Sequence, residues 1–461
     1  MAERDLTTGP LTGHLAGMAV PAAFGMVATT LYNIVDVYYA GWVSTEALAG
    51  LSVSFSAFMM LMALGIGLNM GAGALIGSAL GAKKPEEARN FAAGAIGAAA
   101  ALGVLLAIVG WMAGDGLLRL MSVRGEVLEL AKSYLFVLFC GLPAFLIGFT
   151  ANGVLTAQGD TVSNTRAQMA ALIVNCGLNP LMMYGAFGIE GLGFNGIAVS
   201  TVLIQLGVAT FLVRRALKSG AMRGVKLGAF FPTARLSLDL LKQSAPASLN
   251  MVVMMVGGFL IQRHLQPFGA PAVAGFGVAF RAEQLILLPI LAVSFAVMPM
   301  VAQNYGAKDH DRVRQVLTLA GMVVVLMSVI GAIILSLGGV ALTRVFTDDP
   351  DAIASGAAYL RMAALMMPAY ALMFVVTGFF QGVKRPIWSL VIGVYRQVFA
   401  LAVFPTLFVL YTDWGLAAVW AGLFTAVWSG FCLAAFLTVR VARPAIGGLR
   451  LDFAGLRAAA A

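Results

Sequence analysis

Asp36 stands inside the apolar run Leu31-Tyr-Asn-Ile-Val-Asp-Val-Tyr-Tyr-Ala-Gly41. Ionisable side chains at membrane depth are costly and mark ion or substrate pathways. Counted on a helix, Asp36 lies about five residues, or ~7.5 Å, from the outer end of that run. Tyr32, Asn33 and Thr29 fall one or two turns below it, on nearly the same face. The bland reading is a carboxylate close enough to the surface to stay hydrated. The functional reading is a cavity-lining acid that takes up and releases a proton or binds sodium, because desolvation disfavours an unpaired carboxylate charge.

Neutral oxygen-bearing residues occur at matching depth. Asn179 lies about eight residues from the outer end of its segment, and Asn175 one turn deeper on the same face. Ser200 and Thr201 lie about nine residues into the next segment. All are expected to meet Asp36. The competing roles are interhelical hydrogen bonding for the asparagines and back-bonding to the helix for the hydroxyls. Asn152 is a further candidate for a substrate cavity. In the second half the polar residues at depth are Arg281, Glu283, Gln284 and Arg396. A lone arginine there is disfavoured, so Glu283 is expected to pair with Arg281 or Arg396, as a structural ion pair or as part of a transport site.

The elements that must position these residues follow from composition. Of 461 residues, 61% are hydrophobic and 11% charged, against ~25% charged in a soluble chain. Too little charge is available to cover a surface facing water, so the solvent is lipid. The apolar runs exceed the ~20 residues a crossing helix needs. Twelve are read, at 15–41, 47–80, 91–114, 131–157, 165–187, 192–217, 241–267, 272–304, 314–341, 354–381, 386–411 and 415–441. The fold class is an all-α membrane protein, and the first run is read as a retained helix, being too long for a signal peptide. Gly67, Gly71, Gly73, Gly77 and Gly81 give small-xxx-small spacing for close helix packing. Arg119–Lys132 reads as a short interfacial helix.

Net charge is +9, but the basic residues lie between apolar segments, so no nucleic-acid partner is inferred. With the N-terminus inside, the cytoplasmic side holds 21 Lys and Arg against 6 outside, and this bias places both termini in the cytoplasm. The three cysteines fall in apolar runs and the three histidines are scattered, so no disulfide framework and no metal site are expected, apart from sodium at Asp36. No phosphate-binding loop or nucleophile–base arrangement is found. The chain is read as no enzyme, with no cofactor, using H+ or Na+ as coupling ion.

Sliding the sequence by 225 residues exposes a repeat. Pro21 meets Pro246, Gly81-Ala-Lys83 meets Gly306-Ala-Lys308, Arg89 meets Arg314, Tyr134-Leu135 meets Tyr359-Leu360, and Pro180 meets Pro405. Six helices per half is an even number, so the halves are parallel repeats about an axis along the membrane normal. The domains are expected at 1–213, a basic cytoplasmic linker at 214–240, and 241–461.

Taken together these residues resemble the multidrug and toxic compound extrusion (MATE) antiporters. The resemblance covers nearly the whole chain. It rests on Pro21 with Asp36 fifteen residues on, Ala47-Leu-Ala-Gly50, Gly81-Ala-Lys83, Gln158-Gly-Asp-Thr161, Asn175-x-x-x-Asn179-Pro180, and Gly191-Leu192 with Gly196-Ile-Ala-Val-Ser-Thr201. It implies two six-helix lobes, an outward-open V-shaped cavity, and rocker-type exchange of lipophilic cations for protons or sodium. It also implies a coupling role for Asp36, Asn175 and Thr201 or Ser200, and a bend of helix one at Pro21. Many members carry aspartate where this chain has Asn179, which weakens a tight sodium site and favours protons. No acid lies in the apolar runs 241–267 and 354–381, where NorM-type members have them, so the chain looks nearer the DinF-type branch. The expected protein is thus a monomeric efflux antiporter for small organic cations or drugs, surrounded by lipid in a bacterial inner membrane. Two alternatives are a major-facilitator-type transporter and a lipid-linked sugar flippase. The first lacks its Asp-Arg-x-Gly-Arg-like loop here, and the second needs a more basic cavity.

Overall fold

The computed structural model describes residues 4–449 apart from Ser122 and Phe187, and leaves the side chains of Leu120 and Ile189 undescribed. Arg450 and Arg457, two of the 21 basic residues assigned to the cytoplasmic side, lie outside the described residues. Twelve long helices run in order: α1 Leu11–Val43, α2 Thr45–Gly81, α3 Pro85–Leu120, α4 Gly125–Thr156, α5 Val162–Tyr184, α6 Asn195–Leu217, α7 Ala234–Leu265, α8 Ala270–Gly306, α9 His310–Arg344, α10 Pro350–Gly382, α11 Ile387–Tyr411 and α12 Leu416–Ile446. The six-plus-six all-α membrane fold is therefore as expected. Most helices extend several residues past the apolar runs, because polar first and last turns outside the hydrocarbon still satisfy backbone hydrogen bonds. A pair of two-residue strands, Gly185–Ala186 and Ile189–Glu190, closes the turn before α6.

Eleven of the helices are long and apolar enough to cross a membrane. The exception is α5, which carries Ser163, Asn164, Thr165, Arg166, Gln168, Asn175 and Asn179. Its polar load faces inward where it counts, since both Asn175 and Asn179 are fully buried. The separate helix expected over Arg119–Lys132 is absent among the described residues: α3 runs on to Leu120 and α4 starts at Gly125. Asp115 joins the two ends, 2.8 Å from Arg119 and 3.2 Å from Lys132.

Helix boundaries have local causes. Ser44 accepts from the Ala47 amide at 2.9 Å and caps α2, and Asp309 accepts from the Arg312 amide at 2.9 Å and caps α9. Pro85 and Pro350 open α3 and α10, where a missing N–H is harmless. Lys83 after α2 and Lys308 after α8 both adopt left-handed backbone, with φ of 56° and 63°. Lysine gains nothing from that region, so its recurrence at repeat-related positions shows that the halves share backbone geometry as well as sequence.

The chain divides into two compact units, one built on Phe24–Ser248 and the other on Leu6–Ala23 with Leu249 onward. The N-terminal stretch of α1 thus belongs with the second unit, and the division falls two residues past Pro21. In the first unit α2 packs on α4, with Phe58 and Phe145 edge to face at 4.9 Å. Gly67 and Gly71 of α2 face Ser244 and Ser248 of α7, and a Cβ at Gly67 would stand 1.9 Å from Ser248 Oγ. In the second unit the buried Phe379 and Phe380 of α10 join a core with α8, α9 and α12. Leu6, ahead of α1, is fully buried there. Its N–H donates to Gln303 Oε1 at 3.0 Å, and its carbonyl accepts from Asn304 Nδ2 at 3.1 Å.

Candidate functional site

Tyr32 and Asp36 lie one turn apart on α1, and Asn175 and Asn179 one turn apart on α5, so each pair shares a helix face. The faces meet. Asp36 Oδ1 accepts from Asn175 Nδ2 at 2.9 Å and from Asn179 Nδ2 at 2.8 Å. Thr201 Oγ1 of α6 stands 3.5 Å from Asp36 Oδ2 and accepts from the Tyr32 hydroxyl at 3.1 Å. Ser200 Oγ reaches both the Asn179 side-chain oxygen and the Ile197 carbonyl, so it bonds within its own helix and into the cluster. Asp36 is 7% exposed, which removes the reading of a hydrated surface carboxylate.

The ion pairs found among the described residues do not include Asp36. Its partners are neutral amides and a hydroxyl. A carboxylate charge at such a place must be offset by a proton or a bound cation. Asn175 Oδ1 is buried without a hydrogen-bond partner among the described residues. With Asp36 Oδ2 and Thr201 Oγ1 it would supply oxygens to sodium, a set containing only one carboxylate. Among the described residues no group of three His, Cys, Asp or Glu forms a metal site.

The other candidates make no hydrogen bond to Asp36 among the described residues. Thr29 and Asn33 are exposed, and Thr29 Oγ1 bonds back to the Gly25 carbonyl at 3.0 Å. Asn152 is half-buried and accepts from Thr156 one turn on, at 3.4 Å. Pro21 lies inside α1, half-buried.

The second unit holds a separate buried acid. Glu283 of α8 is 2% exposed and accepts from the Tyr359 hydroxyl of α10 at 2.5 Å. The expected pairing with Arg281 does not form: two residues along a helix is about 200° around it, and Arg281 and Gln284 are exposed. Arg396 makes no ion pair with Glu283 among the described residues. Its guanidinium lies 5.0 Å from the centroid of the Tyr370 ring. Arg396 sits in a π-helical stretch of α11, Tyr395–Ala400, an irregularity frequent at functional sites. Trp420 packs on Tyr359 at 5.1 Å, and its buried Nε1 has no hydrogen-bond partner among the described residues.

Two tyrosines were missed as site residues. Tyr134 of α4 is buried, stacks on Phe194 at 5.0 Å, and interacts with Thr201 beside Asp36. Tyr359 is its counterpart one repeat later. Their match in the 225-residue shift is the signal that the sequence carries for them.

Twelve long helices, six in each sequence repeat, with a neutral-ligated carboxylate in the first, define a polytopic membrane protein of the transporter type. The MatE family model matches residues 21–181 and again 246–406, an offset equal to the internal repeat. The chain belongs to the MatE family, and the major-facilitator alternative falls with that assignment. It is 26% identical over 427 residues to the probable multidrug resistance protein YoeA of Bacillus subtilis strain 168, covering 87% of this chain and 88% of that one. It is 25% identical over 442 residues to the multidrug export protein MepA of Staphylococcus aureus strain NCTC 8325, covering 94% of each. The fold superposes with a TM-score of 0.88 on a multidrug resistance MATE transporter of the MOP superfamily, in an outward-facing conformation, at 24% identity over 95% of this chain and 98% of that one.

Proposed function

We propose that this chain is a cation-coupled antiporter of the plasma membrane that exports lipophilic cations and other drugs by rocker-type alternating access. Asp36 is the coupling carboxylate in this reading, and protons are favoured over sodium. The observation that carries it is Asp36 itself, buried and held only by neutral donors. Such a group exists in two states, empty of cation or neutralised, and the difference in their solvation is large enough to bias a conformational equilibrium. Protons are favoured because the second helix-five position is the amide Asn179, whose N–H group faces the carboxylate. The lack of acid in the apolar parts of α7 and α10 supports placement near the DinF-type members. The names of YoeA and MepA support drugs as the exported class.

The mechanism follows from those contacts. Loss of the proton leaves a charge that Asn175 and Asn179 stabilise; gain of a proton removes the charge and weakens both amide bonds. Tyr32 and Thr201 keep the second oxygen in place. Glu283, which accepts from Tyr359, supplies the second unit with a buried acid for a cationic substrate.

The test is efflux in everted vesicles, with ethidium or norfloxacin driven by an imposed pH or sodium gradient, in the native protein and in Asp36→Asn. The expected result is pH-driven efflux that the substitution abolishes. Unchanged efflux in the variant would remove Asp36 from the mechanism, and dependence on sodium alone would overturn the proton preference.

A further inference from the structure

The segment between α6 and α7 exposes two large apolar side chains, Leu227 at 83% and Phe231 at 80%. Arg223, Lys226 and Arg235 around them are exposed as well. The rest of the segment is pinned down. Met222 is fully buried, Gln158 Nε2 donates to Ser219 Oγ at 3.0 Å, and the Ala221 amide donates to Gln158 Oε1 at 3.1 Å. A 3-10 turn, Leu227–Phe230, packs on α3: a Cβ at Gly97 would run into the Phe230 carbonyl, and one at Gly94 into Leu236.

That contact sets its depth. Gly97 lies twelve residues beyond Pro85, or ~18 Å along α3. The helix has 36 residues, ~54 Å, against a hydrocarbon core of ~30 Å. With α3 centred, ~12 Å projects at each end, so Gly97 lies just inside the cytoplasmic edge of the core. Apolar side chains at that level beside basic ones form the pattern of an interfacial element. The adjoining groove of about 690 Å³ is no seat for an anion, because Glu86, Glu87 and Asp239 outnumber Lys84 and Arg235 in it, and Lys84 is paired with Glu87 at 3.1 Å. Arg223 and Lys226 make no ion pair among the described residues.

We propose that this connector is a binding site for acidic phospholipids of the cytoplasmic leaflet. Leu227 and Phe231 enter the boundary between headgroups and acyl chains, and Arg223 and Lys226 hold headgroup phosphates. The test uses the full chain with Cys140, Cys176 and Cys432 replaced by Ala, Phe231→Cys labelled with bimane, and reconstitution into phosphatidylcholine vesicles with or without phosphatidylglycerol. Lipids brominated on the acyl chain should quench the label, whereas aqueous iodide should not. Native mass spectrometry of the unlabelled protein should show phosphatidylglycerol binding that weakens roughly fivefold for each of Arg223→Gln and Lys226→Gln. Quenching by iodide alone would put the connector in water and overturn the proposal. So would phosphatidylglycerol binding that the two substitutions leave unchanged, or that is no tighter than phosphatidylcholine binding.

Discussion

The hydroxyl of Tyr359 donates to Glu283 Oε2 at 2.5 Å, with both side chains buried. Tyr134, the same position one repeat earlier, is buried against Thr201 beside Asp36. Each half thus sets a tyrosine from its fourth helix near a buried acid, but the acid comes from the first helix in one half and the second in the other. At the position aligned to Asp36 the second half has Ile261. The repeat kept the tyrosine and relocated the carboxylate.

Removing the tyrosine donor leaves Glu283 underbonded. Tyr359→Phe should lower stability by about 1–3 kcal/mol, the cost of an unsatisfied buried polar group. Glu283→Gln should be milder, and the double variant should cost less than the sum of the two singles. Thermal unfolding in detergent measures all three; strict additivity would show that the hydrogen bond carries no coupling.

Asn175 and Asn179 donate to the same oxygen of Asp36. Either alanine variant leaves one donor in place and should slow efflux about three- to tenfold, or ~1 kcal/mol. The double variant strips Oδ1 of both, and its loss should exceed the product of the singles. Vesicle efflux under a fixed pH gradient reads the difference, and a double variant no worse than either single would contradict shared stabilisation.

Gly67 admits no side chain. Its Cβ would stand 1.9 Å from Ser248 Oγ and 2.6 Å from the Ser244 carbonyl, whereas Gly41 has nothing within 4 Å. Gly67→Ala should cost about 1–3 kcal/mol through forced separation of α2 and α7. Gly41→Ala should leave the melting temperature near that of the native protein. Equal melting of both variants would mean that the contact yields freely.

Leu6 lies outside any helix and is fully buried, with its backbone held by Gln303 and Asn304. Leu6→Ala should destabilise the protein by about 2–4 kcal/mol, the usual range for emptying a core leucine site. Limited proteolysis at the N-terminus, compared with the native chain, should show earlier cleavage.

Helix number, the internal repeat and the meeting of Asp36 with Asn175, Asn179 and Thr201 were legible in one dimension, whereas Ser200 reaches the cluster only through Asn179. Apolar length reports the solvent of a segment, and depth counted from a helix end brings residues on different helices to one level. Rotation about the helix axis was less secure: Arg281 sits two residues from Glu283 yet is exposed and turned away from it. Which helices touch, and therefore that Tyr134 and Tyr359 join the acids, that the N-terminal part of α1 packs with the second unit, and that Leu6 is a core residue, was decided by tertiary structure. These contacts join residues dozens to hundreds of positions apart, and packing selects them from many pairs of equal depth that the local pattern leaves equivalent.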